Sequence, residues 1–79
     1  MSKIDMNDVI IGRNIKRCVK IKNTTLDGLA NDIGVGHSTM SSWANGKRPV
    51  TAYALCRISK ALGIAMCELV RGVEQEPYK

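Results

Sequence analysis

Apolar residues recur along the chain at helical spacing, each run closed off by glycine, threonine or asparagine. Ile11, Ile15, Cys18 and Val19 stand at i, i+4, i+7 and i+8, which predicts a first helix over about Asn7 to Lys22, with Asn7 placed to cap it. On the same segment Arg13, Lys16, Arg17 and Lys20 form a separate basic stripe, so this helix has one dry face and one that is wet or faces phosphate. Asn23-Thr24-Thr25 breaks the run, and Thr25 offers an N-cap to a second helix, Leu26 to Ile33, with Leu26, Leu29, Ala30 and Ile33 as its apolar face.

Gly34-Val35-Gly36 leaves space for only a very short turn, with Gly34 suited to the left-handed backbone that closes a helix and Gly36 tolerable as the next N-cap. Between His37 and Asn45 the apolar positions are Met40, Trp43 and Ala44, so a third helix has a definite inner side and Trp43 is its core anchor. Its other side carries Ser38, Ser41, Ser42 and Asn45 at i, i+3, i+4 and i+7, a stripe of short uncharged polar side chains. Gly46 ends this helix, and Lys47-Arg48-Pro49 makes a basic loop. Thr51 then caps a fourth helix with Leu55, Ile58 and Leu62 inward, which Gly63 terminates. A fifth, short helix is predicted over roughly Met66 to Val70, and Gly72 to Lys79 reads as a polar, mobile tail.

The chain therefore reads as all-α. With 79 residues it forms one domain, its core at about residues 7 to 71. The scarcity of aromatics, 4% with no phenylalanine, means that aliphatic side chains and methionine must fill that core. Charge is distributed unevenly: the net +5 falls wholly between Arg13 and Arg48, where seven basic residues meet two acidic ones, and the rest of the chain sums to zero. A charge concentrated in this way points to a polyanionic partner. Cys18, Cys56 and Cys67 are odd in number, lack CxxC spacing and sit in apolar runs, so no disulfide framework is expected. The single histidine, His37, has no cysteine near it in sequence and no nucleophile with an orienting partner, so neither a metal site nor an enzyme is expected. No cofactor and no small-molecule substrate are predicted. No apolar run reaches the roughly 18 residues of a membrane span, and no secretory segment opens the chain, so the expected location is the cytoplasm, without a membrane partner.

Two short helices joined by a glycine-containing turn form a helix-turn-helix, whose second helix can lie in the DNA major groove. From Thr25 to Leu69 the elements Leu29-Ala30, Ile33-Gly34-Val35, Ser41, Trp43, Asn45-Gly46-Lys47, Ala61-Leu62-Gly63 and Glu68-Leu69 follow one another in an order that resembles the Cro/C1-type (XRE-like) domains of phage and bacterial repressors. The resemblance implies a compact five-helix, lambda-repressor-like fold that binds double-stranded DNA. By the positions that match, Gly36, His37, Ser38, Ser41 and Ser42 would read base edges, and Thr25, Asn45, Lys47 and Arg48 would hold phosphates. It also implies a two-fold dimer, for which Ile64, Ala65, Met66 and Val70 are the candidate interface, meeting a near-palindromic operator as a repressor.

Three departures from the family pattern stand out. Leu26 replaces a glutamine that many members use on a phosphate. Val19 and Ala44 replace both partners of a buried Arg–Glu pair, a joint loss that strands no charge. The reading face has serines and one histidine where arginine, glutamine or glutamate would give long reach, so water and DNA shape are expected to share in selectivity. The same fold without specific readout would serve as a protein-interaction module of antitoxin or anti-repressor type, a reading kept as the alternative.

Overall fold

The computed structural model describes residues 5–73, in the order α1 (Met6–Ile21), α2 (Leu26–Ile33), α3 (His37–Ala44) and α4 (Ala52–Leu62), followed by a single 3-10 turn, Met66–Glu68. Every described element is helical, as the spacing of apolar residues demands. Residues 74–79 of the expected mobile tail lie outside the described part. Gly72 and Val73 are within it, and Val73 is half-buried with its N–H donated to the Val70 carbonyl at 3.0 Å.

Local chemistry accounts for most boundaries. The Asp5 carboxylate caps α1 by accepting the Asn7 N–H at 2.8 Å, so the capping residue is Asp5 and Asn7 is inside the helix. Thr25 and Thr51 cap α2 and α4 by accepting the N–H of Gly28 at 3.0 Å and of Ala54 at 3.1 Å. Gly34 and Gly63 close the same two helices at φ 72° and 66°, with the N–H of Val35 donated to Ala30 O and that of Ile64 to Ser59 O, each at 3.0 Å. That is the glycine closure expected where a side chain would clash in the left-handed region. α1 ends at Ile21 with Lys22 as its cap, and α3 at Ala44 with Asn45 as its cap.

The predicted fifth helix does not form. Ala65 has no side-chain acceptor to hold a helix start, and Gly72 turns left-handed at φ 87°, so only a few residues remain between the two breaks. The carbonyls there find another partner. Asn14, a buried amide on α1, donates to the carbonyls of Leu69 at 2.9 Å and Arg71 at 2.8 Å. Among the described residues there are therefore four α-helices and a pinned closing turn.

Ile15, Leu29, Met40, Ile58 and Leu69 are the largest fully buried side chains, one from each helix and one from the closing segment. Trp43 joins them as the anchor of α3, and Val19 and Ala44 are both buried, so the expected apolar replacement of an ion pair is accommodated in the core. Because α3 is held from below by Met40 and Trp43, its serine side is left outward.

Candidate nucleic-acid interface

α2 and α3 are joined by Gly34, Val35 and Gly36 alone, and the left-handed Gly34 redirects the chain so that α3 packs on both α1 and α2. On α3 the side chains of His37, Ser38, Ser41 and the capping Asn45 are exposed, while Ser42 is half-buried. Gly36 is exposed and provides no side-chain cap, leaving the first N–H groups of α3 open at its outer end. Lys47 and Arg48 are exposed just past the other end of the helix. A face of short polar groups is thus bordered by cations, which is what approach to a polyanion with readable edges requires.

His37 is turned back onto α2. Its Nε2 lies 3.2 Å from Asn31 Oδ1, and its Nδ1 lies 3.5 Å from Asp27 Oδ1, both across the turn. The imidazole therefore couples the two helices as well as standing on the outer face. The Arg48 guanidinium reaches Thr39 Oγ1 at 3.5 Å, so the basic loop is drawn toward α3. Thr25 uses its hydroxyl oxygen as the α2 cap, which leaves the hydroxyl proton available to an acceptor outside. Leu26 is half-buried and packs against the core, so the leucine at this position serves the interior.

The basic stripe of α1 divides. Lys16 Nζ donates to Asn45 Oδ1 at 2.9 Å, and Asn45 Nδ2 donates to Ser41 Oγ at 3.3 Å, so Lys16 is brought to the end of α3. Arg17 turns the other way, its guanidinium 3.9 Å from the Glu68 carboxylate, which also meets Arg71 at 3.6 Å. Sequence spacing put all four cations on one stripe and could not separate them. Spacing places Lys16 on that stripe without joining it to the face of α3, and only its approach to Asn45, 29 positions away, reveals the link.

Among the candidate dimer residues, Ala65 and Met66 are exposed, whereas Ile64 and Val70 are half-buried and pack on the domain's own core. A shallow concavity of about 460 Å3 between α2 and α4 is lined by Asp32, Ile33, Tyr53, Cys56, Arg57, Lys60 and Ala61, with Arg57 over the Tyr53 ring at 5.7 Å. The imidazole of His37 is not among its lining groups, so the histidine and this cysteine do not meet there. Among the described residues no helix is long and apolar enough to cross a membrane.

Comparison with known proteins agrees with this geometry. A helix-turn-helix family profile matches residues 15–69. The control protein C.MunI of Mycoplasma sp. is 36% identical over 74 residues, covering 90% of this chain and all of that protein. Two solved structures share the fold. The restriction-modification controller protein C.AhdI from Aeromonas hydrophila superposes with a TM-score of 0.78 at 23% identity, over 82% of this chain and 98% of that one. The clp gene regulator ClgR from C. glutamicum gives a TM-score of 0.77 at 22% identity, over 82% of this chain and 84% of the other.

Proposed function

The chain belongs to the XRE-type helix-turn-helix family of DNA-binding regulators, and from that premise we propose that it is a dimeric transcription regulator of the controller type, reading a near-palindromic operator in the bacterial cytoplasm. The observation that carries the proposal is the outward face of α3, short polar side chains bordered by the cations Lys16, Lys47 and Arg48. In this reading Gly36, His37, Ser38, Ser41 and Ser42 meet base edges in the major groove. Thr25, Asn45, Lys47 and Arg48 hold the phosphates on either side, which sets register and supplies much of the affinity. Kinship with a control protein supports the same role.

Ile64, Ala65, Met66 and Val70 form the two-fold contact, with the exposed Ala65 and Met66 at its centre. The two recognition helices then meet half-sites about one helical turn, roughly 34 Å, apart. Occupancy of an operator that overlaps the polymerase site represses transcription, with the protein's own concentration as the controlling variable.

Selection of bound sequences from a random duplex library, followed by titration of the enriched site and a scrambled control at two salt concentrations, tests this. A near-palindromic site with strong preference is expected. Lys47→Ala and Arg48→Ala should weaken binding on every duplex alike, each lowering the log–log salt slope by about 0.9. Ser42→Ala should alter sequence preference instead. Equal, weak binding to both duplexes that vanishes at moderate salt would remove specific regulation from this chain and turn attention to a protein partner.

A further inference from the structure

The chain of hydrogen bonds from α1 to α3 has a direction. An ammonium group only donates, so Lys16 Nζ at 2.9 Å requires an acceptor, and the Asn45 amide must present its oxygen to it. The amide nitrogen is thereby turned to Ser41, whose Oγ it meets at 3.3 Å as a donor. A hydroxyl that accepts from the amide keeps its single proton for another direction, and Ser41 is exposed on the outer face of α3. The usual ambiguity between the two ends of an asparagine amide is thus removed by the lysine.

Resting on the DNA-binding reading above, we propose that Lys16 is a specificity-positioning residue: through Asn45 it makes Ser41 a hydrogen-bond donor toward the major groove. Serine left to rotate bonds either donor or acceptor edges and discriminates poorly. With one of its two lone pairs taken by the amide, the Ser41 hydroxyl favours edges that offer an acceptor, N7 of either purine, guanine O6 or thymine O4, over the amino group of cytosine. The second amide hydrogen of Asn45 and the remaining ammonium hydrogens of Lys16 stay available to phosphate, so the relay adds to the anchoring role of this corner.

The test uses the full chain and base preference as its readout, because a uniform loss of affinity leaves preference unchanged. Ser41→Ala, put through the same library selection, identifies the base pair at which preference relaxes. At that pair the wild-type protein is expected to discriminate about fivefold, the value of one ordinary hydrogen bond. Lys16→Met keeps the stem and removes the donor, so discrimination at this pair alone should fall toward none, while Lys16→Arg, also donor-only, should retain it. Asn45→Asp places an acceptor against Ser41, draws its proton inward and should shift preference at the same pair toward the cytosine amino group. A wild-type protein that selects no sequence overturns this relay together with the DNA-binding reading. If it does select a site, and either Ser41→Ala relaxes no position or Lys16→Met and Asn45→Asp keep the wild-type preference there, the relay falls and the regulator stands.

Discussion

Gly12 leaves no room for a side chain between α1 and the end of α3. A Cβ placed on it would stand 2.4 Å from the Ala44 carbonyl oxygen and 2.6 Å from that of Trp43, distances no side-chain rotation can relieve because both are backbone atoms. Alanine is the better helix former by about 1 kcal/mol, so propensity alone argues for it. The overlap decides against it. Gly12→Ala should lose about 2–4 kcal/mol of stability, read as a lower urea midpoint with unchanged slope. Gly63 makes the contrast: its φ is 66° but a Cβ there would meet nothing within 4 Å, so Gly63→Ala should cost only the left-handed strain of about 1–2 kcal/mol. Equal losses at the two sites would mean that the α1–α3 contact yields more than its backbone geometry allows. Sequence shows seven glycines and cannot rank them, because the difference lies in what a distant helix brings alongside.

The helices themselves were largely legible, and for local reasons. Thr25, Gly34, Thr51 and Gly63 each act on neighbours within a few residues, so the ends of α2 and α4 follow from short stretches of sequence. The outward serines of α3 were legible too, since Met40 and Trp43 define the opposite side. The start of α1 was displaced because Asp5 and Asn7 are both competent caps and only one is used. The closing segment forms no fifth helix, its carbonyls being engaged by Asn14, a residue on the apolar side of α1 that spacing alone does not distinguish from a solvated polar group. The link from Lys16 to α3 is illegible for the same kind of reason. The Asn14 bonds carry their own prediction: Asn14→Leu takes the donor from the buried Leu69 carbonyl and the part-buried Arg71 carbonyl and should cost about 1–3 kcal/mol. Hydrogen exchange should rise in the closing segment, at residues 69–73, before it rises in α4. Uniform loss of protection throughout would show that the clamp supports the whole core.

For the molecule as a whole, the proposed dimer depends on a small exposed patch beside that clamp. Met66, 38% exposed, is its largest protruding apolar side chain, and Ile64 and Val70 are already committed to the core. Met66→Glu should therefore leave the fold intact and shift the sedimenting species to monomer. Affinity for a full operator should drop while affinity for one half-site changes little, because linking two half-sites multiplies their affinities. Unchanged sedimentation would place the contact elsewhere. The net charge of +5, concentrated between Arg13 and Arg48, favours association with DNA in either state and so separates attraction from selection. The backbone contact at Gly12 has a consequence on another timescale. Where a side chain would meet main chain, trimming a neighbouring side chain cannot make room for it, whereas Ser38 stands outward and can be exchanged without disturbing that contact. On the proposed reading the scaffold is thus held fast while the outer face of α3 stays free to vary, so descendants of this chain could acquire new operators without first having to invent a new fold.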